Sequence, residues 1–148
     1  MISSSPSLLP ATVPSNREVA ERRLPLPGDL RLLAEIRRHA RAALAGWGLP
    51  EDIAADALLV LSELISNAVV HALPPAALRL TWRRTAAGGV LAVEVSDGGA
   101  PARPQADEAV APEEHGRGLA IVRALSADHG NRAEPDGGAT WWAELSTP

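Results

Sequence analysis

The chain has 148 residues, 46% hydrophobic and 22% charged, a mixture that builds one soluble, cored domain and excludes both global disorder and a second independent core. No cysteine is present, which removes disulfides, thiolate metal sites and thiol catalysis, and cytosolic residence is the expectation that follows. The net charge is −4 and all 14 basic residues are arginine, scattered rather than massed. Nucleic acid is therefore not expected as a partner, and a P-loop lysine, a Schiff base and a lysine general base are chemically impossible.

Residues 1–21 carry Ser3, Ser4, Ser5, Pro6, Pro10 and Pro14 and too few large side chains to offset the entropy of ordering, so a disordered tail is predicted there and a single domain over 22–148. Neither a targeting segment nor a membrane span is expected. Arg22 to Pro27 reads as a short edge strand closed by Pro27-Gly28-Asp29. From Leu30 the apolar positions Leu33, Ile36, Ala40 and Leu44 follow a helical period, with Asp29 placed to cap the first turn and Gly46-Trp47-Gly48 to end it. A second helix opens at Pro50-Glu51-Asp52, where proline and acids suit the positive end of a helix dipole, and runs to about Ala72.

Leu78–Arg84 and Val90–Val95 alternate as a hairpin about Gly88-Gly89. Residues 98–117, rich in Gly, Pro, Ala and Glu, read as a long functional loop, and Gly118–Ala127 as a third helix. Asn131–Glu134 and Ala139–Leu145 close the chain as a second hairpin. This order predicts an α+β fold of two layers, with helices on one face of a mixed, mostly antiparallel sheet.

Three places could carry chemistry. On the second helix, apolar nearly all round, Glu63, Asn67 and His71 recur at i, i+4 and i+8 and stack as one polar stripe. That stripe is either a wet helix edge, continued backwards by Asp52 and Asp56, or one wall of a partly apolar cavity. Asp97-Gly98-Gly99 follows a strand; such a tripeptide is ordinarily turn chemistry, but it can also offer a carboxylate to an amine-bearing ligand while Gly99 lets backbone come close. Gly116-Arg117-Gly118-Leu119 opens a helix whose bare start suits phosphate, yet Ile121 stands where a dinucleotide fingerprint needs glycine, so a Rossmann reading fails.

Taken together, Glu63-Leu-Ile-Ser-Asn67-Ala-Val-Val-His71 resembles the N-box of the GHKL ATPase superfamily, Asp97-Gly-Gly99 its G1 box and Gly116-Arg-Gly118-Leu119 its G2 box, in matching order. Gly137 to Leu145 resembles the closing strand of its anti-sigma-factor serine/threonine kinases. The resemblance implies the Bergerat α/β sandwich, with ATP under a lid spanning about Ala100–Gly116. It implies Asn67 as a ligand of Mg²⁺, Asp97 as acceptor of the adenine amine with Thr140 assisting, and Gly99 as the close-approach glycine. Gly116, Arg117, Gly118 and Leu119 would lie along the phosphates, and Glu63 would be the catalytic base. A sigma factor, a STAS-type anti-anti-sigma protein and a homodimer are the implied protein associations. A nucleotide-responsive binding module without transfer is the competing function. A detached histidine-kinase catalytic domain fits less well, since His39 stands in one short helix rather than a phospho-acceptor hairpin. His71 is read as a cap or packing residue, and acids at Asp107, Glu108, Glu113 and Glu114 would crowd the lid with like charge near triphosphate.

Overall fold

A computed structural model describes residues 19–26, 29–71, 74–86, 88–99 and 112–147. Residues 1–18, expected as part of a disordered tail, residues 100–111, expected as part of the lid, with Asp107 and Glu108, and the side chains of 69–71 and 112–118, among them His71, Glu113, Glu114 and Arg117, lie outside the described residues.

Five strands form one sheet in the order β1-β2-β3-β5-β4: β1 (Val19–Leu26), β2 (Ala76–Thr85), β3 (Gly88–Asp97), β4 (Asp128–Ala133) and β5 (Ala139–Thr147). All four pairings are antiparallel, so the mixed sheet expected from sequence is corrected to an antiparallel one among the described residues. Helices α1 (Leu33–Gly46), α2 (Glu51–His71) and α3 (Pro112–Leu125) supply the second layer. In it α2 lies over β3 and β5, between α1 and α3.

Local chemistry accounts for the helix ends. Asp29 accepts the Arg31 backbone N–H at 2.9 Å and opens a 3₁₀ turn, Leu30–Leu32, that leads into α1. At the other end Gly48 takes φ +80°, its N–H reaches the Ala45 carbonyl, and the Leu49 N–H reaches that of Leu44 at 3.2 Å. This is the 6→1 and 5→2 pattern of a left-handed cap, with buried Leu44 and Leu49 as its apolar clasp. Arg37 of α1 donates to the Ser62 hydroxyl and to the Leu58 carbonyl of α2, fastening the two helices one residue before Glu63.

The sheet alternates cleanly. On β3, Leu91, Val93 and Val95 are fully buried beneath the helices while Val90, Ala92, Glu94 and Ser96 face the other way and are half-exposed. The core is aliphatic, dominated by leucine and valine from α2, β2 and β3, with Trp82 as its buried aromatic. The open face carries a row of charges that zigzags across the strands: Glu21 to Arg79 at 3.4 Å, Arg79 to Glu94 and Glu94 to Arg132 at 3.7 Å, and Arg132 to Glu134 at 3.0 Å. An antiparallel sheet can leave one face to water, and this row makes that face compatible with it.

Several boundaries differ from the sequence reading, β4 among them, which begins at Asp128 rather than Asn131. β1 begins at Val19, inside the span read as tail, because Val19–Glu21 pair with Arg83–Thr81 of β2; strand pairing supplies what their composition does not. Helix α3 begins at Pro112 rather than Gly118. Pro112-Glu113-Glu114 is itself a helix-start signal, proline at the first position followed by acids in the first turn, and it outweighs the later glycines.

Candidate functional site

The arrangement around Asp97 is built from two glycine turns that lock together. Asp97 is the last residue of β3, on the helix-covered face, and only 8% exposed. Its Oδ1 accepts the Gly99 N–H at 2.8 Å, and the Ala139 N–H from neighbouring β5 also donates to the carboxylate. Gly99 has φ +100°, and a Cβ there would stand 2.2 Å from the Gly137 carbonyl oxygen. A Cβ on Gly138 would meet the Asp97 carbonyl oxygen at 2.4 Å, while the Gly138 N–H is held by Asp136 Oδ1 at 2.9 Å. The two Asp-Gly-Gly turns therefore close on each other with no room for a side chain at the contact, and among the described residues the Asp97 carboxylate is held by backbone N–H groups.

Burial pushes the Asp97 carboxyl above its ordinary value, and this outweighs the opposing pull of the Gly99 and Ala139 N–H groups. No arginine pairs with it among the described residues. A carboxylate has about four lone-pair positions. With two N–H donors accounted for, the group keeps acceptor capacity for a ligand amine.

On α2, Glu63 and Asn67 are half-buried and one turn apart, as the stripe predicts. Their apolar neighbours divide: Val60 is fully buried, whereas Leu59 is 47% exposed. The stripe thus runs along the border between core and solvent. Among the described residues no group of three or more His, Asp or Glu side chains could hold a metal. An amide oxygen at Asn67 next to one carboxylate suits a hard cation such as Mg²⁺ only where water and phosphate oxygens complete its shell.

The other predicted residues fall out unevenly. Gly116 and Gly118 lie inside α3, past its first turn, so the unpaired N–H groups of that helix start at Glu113, after Pro112, and not at the glycine pair. Leu119 is half-buried on the same helix. Thr140 is a correction: successive strand residues point to opposite faces, so with Ala139 in register with Asp97, Thr140 faces away from it. It is 4% exposed on the open face, and its hydroxyl donates to Glu134 Oε2 at 2.7 Å. Ala139, through its backbone N–H, and Gly137-Gly138 take the supporting place instead. The signal that marks them is the repeat of Asp-Gly-Gly at 97 and 136, where the chain spells one turn twice.

A depression of about 520 Å³ also exists, but it lies on the open face among Arg23, Arg79, Glu94, Arg132 and Thr140, with the sheet between it and the Asp97 carboxylate.

The chain thus combines an α+β sandwich with a buried strand-end carboxylate, a close glycine turn and a Glu–Asn pair on the overlying helix. The profile of the histidine kinase-like ATPase domain family matches residues 26–142, and the chain belongs to that family, the GHKL type whose boxes its motifs resemble. Among solved structures it is similar to the RsbU and RsbW domains of Rv1364c from Mycobacterium tuberculosis. The TM-score is 0.60 at 20% identity over 85% of this chain and 32% of that one, so it spans about a third of the mycobacterial chain. It is also similar to the SiaB–SiaC complex from Pseudomonas aeruginosa, with TM-score 0.57 and 15% identity over 96% of this chain and 99% of that one. At these identities the likeness is one of fold. No curated protein sequence matches. Among the described residues no helix is long and apolar enough to cross a membrane.

Proposed function

We propose that the protein is an ATP-dependent serine/threonine protein kinase of the anti-sigma-factor type, which phosphorylates a STAS-type anti-anti-sigma protein and binds a sigma factor. The family assignment supplies ATP binding. The observation that carries the reading further is the Asp97 carboxylate, buried, unpaired by arginine among the described residues and held by two backbone N–H groups under the helix that bears Glu63 and Asn67. A carboxylate held so receives the exocyclic amine of adenine and rejects the carbonyl that guanine presents at the same edge.

Asn67 would hold Mg²⁺, whose charge, when bound, offsets that of the phosphates. Glu63, one turn earlier, takes the proton from the hydroxyl of the acceptor serine or threonine. That oxygen bonds to the γ-phosphorus as the bond from phosphorus to the bridging oxygen breaks, and ADP leaves. Phosphoryl transfer asks the protein mainly for position and charge compensation, so one carboxylate and a nearby amide suffice on the protein side. The presence of an RsbW domain in one similar structure and of a SiaB–SiaC pair in another supports a protein partner.

The test is phosphoryl transfer from γ-labelled ATP to candidate STAS-type proteins, alongside calorimetric titration with ATP, ADP and GTP. Wild type transfers label, whereas Glu63→Ala binds ATP as before and transfers none. Normal transfer by Glu63→Ala removes the base assignment. ATP binding without phosphoprotein for any partner identifies a nucleotide-responsive binding module instead.

A further inference from the structure

Asp136 stands one residue before the closing-strand segment that carries the family resemblance, and no box includes it. It belongs to the hairpin connection Glu134-Pro135-Asp136-Gly137-Gly138. There the Glu134 N–H reaches the Gly138 carbonyl at 2.8 Å, the Gly137 N–H reaches the Glu134 carbonyl at 3.0 Å, and Gly137 takes φ +93°. Proline ahead of the aspartate and a left-handed glycine behind it are what such a turn demands. Within it the Asp136 Oδ1 accepts the Gly138 N–H at 2.9 Å, the same two-residue step by which Asp97 Oδ1 accepts the Gly99 N–H at 2.8 Å. The chain thus makes one side-chain turn twice, with a buried acid at 97 and an exposed one at 136.

The exposed turn is pressed against the buried one. Gly138 is buried, so its N–H needs an acceptor, and the Asp136 oxygen supplies it. Holding that N–H sets the direction in which the chain leaves the loop. The Gly137 carbonyl then lies against Gly99, Gly138 lies against the Asp97 carbonyl, and the next N–H, that of Ala139, donates to the Asp97 carboxylate. Asp136 has no ion pair among the described residues, so the turn uses its oxygen and not its charge. We infer that Asp136 is a positioning residue for nucleotide selection: by holding the Gly138 N–H it fixes the Ala139 N–H and the Gly137 carbonyl against the Asp97–Gly99 turn, and so aims the Asp97 carboxylate. This role rests on the one proposed for Asp97 as acceptor of the adenine amine. Hydrogen bonds weaken steeply as they bend, so a carboxylate that swings loses ATP, whereas a guanine nucleotide, with no amine at that edge, loses nothing.

The experiment uses the full chain as wild type and as Asp136→Ala, Asp136→Asn, Asp97→Asn and Gly48→Ala, the last at the cap between α1 and α2. Two readouts are taken: amide hydrogen exchange by NMR without nucleotide, and calorimetric affinity for ATP and for GTP. Asp136→Ala should speed exchange at Gly99 and Ala139 relative to the middle of β3, and weaken ATP about tenfold with GTP unchanged, as misalignment of one charged hydrogen bond implies. Asp136→Asn keeps an acceptor oxygen at the same place and should restore both readouts to those of wild type. Gly48→Ala, strained in a different turn, should change neither the ATP-to-GTP ratio nor the relative exchange of the two amides. The role of Asp136 is overturned if Asp136→Ala leaves exchange at Gly99 and Ala139 or ATP affinity as in wild type, if it weakens ATP and GTP alike, or if Asp136→Asn fails to restore them. Asp97→Asn tells that failure from a deeper one: where it weakens ATP, the adenine reading stands without Asp136, and where it binds ATP as wild type does, both fall together.

Discussion

Glu94 and Asp97 stand three residues apart on one strand and meet opposite environments. Glu94, on the open face, is half-exposed and lies between Arg79 and Arg132, each at 3.7 Å. Asp97, on the covered face, has among the described residues only backbone N–H groups as hydrogen-bond partners of its carboxylate, and its carboxyl is pushed upward by burial. The first acid is one tile of a surface charge row. The second is maintained at a cost to the fold, the kind of arrangement found where a side chain serves a ligand rather than stability. Pleat parity decides the difference: an odd step along β3 moves a carboxylate from water and arginine to the layer beneath the helices.

The largest effect expected is on the covered face itself. Leu91→Ala, at a fully buried position beside Val93, should cost about 2–5 kcal/mol in chemical denaturation, whereas Val90→Ala on the open face should fall well below that. Similar losses at both positions would mean the helices do not cover the face assigned to them.

Next comes the interlocked turn. Gly99→Ala combines a left-handed φ with a Cβ placed against the Gly137 carbonyl, and about 2–3 kcal/mol of stability should be lost with nucleotide binding impaired. Gly48→Ala, also at positive φ but with nothing within 4 Å of the added Cβ, should cost only about 1 kcal/mol. The comparison separates the close approach from the backbone angle.

Asp97→Asn sharpens the contrast with Glu94 because its two readouts should move in opposite directions. ATP affinity should fall by about 1.5–3 kcal/mol with the loss of a charge-assisted bond, while the apo protein at neutral pH should become slightly more stable. The sign follows from the raised carboxyl: its favourable contribution is complete below the ordinary carboxylate value and disappears as pH rises through the higher folded value, so wild type carries an ionised, desolvated acid at pH 7. Melting curves between pH 3 and pH 8 (roughly one unit below the ordinary carboxylate pKa to well above it) should show the variant gaining on wild type as pH rises. A variant that loses stability at pH 7 would show that the ionised group is favoured by the fold.

The smallest effect belongs to the open face. Glu94→Gln removes the middle of the Arg79–Glu94–Arg132 row, where partly exposed pairs are screened by water, and about 0–1 kcal/mol should be lost with ATP binding unchanged. A strong effect on nucleotide binding would connect the open face to the site.

How much of this was legible beforehand depended on the range of the interaction. The helical stripe of Glu63 and Asn67, the cap around Gly46-Trp47-Gly48 and the hairpin of β2 and β3 are written in local period and turn chemistry, and their residues sit as expected. The fold class followed from the order of elements. Thr140 was misplaced because its face is set by register with β3, a non-local fact: shifting attention from Ala139 to Thr140 crosses the sheet. The supporting role of the 136–138 turn was hidden for the same reason, since only the pairing of β3 with β5 brings it against Gly99. The start of α3 was legible in Pro112-Glu113-Glu114 and was outweighed by the pull of a familiar glycine pattern.

The direct pairing of β3 with β5, from Gly89 opposite Thr147 to Asp97 opposite Ala139, has an evolutionary corollary. Everything from the end of one strand to the start of the other is an excursion whose base is already stitched shut. Because closure entropy grows only with the logarithm of length, doubling such an excursion costs about 0.6 kcal/mol. Insertions there are cheap for the scaffold, leaving that segment free to diversify while the strands that flank it stay the same.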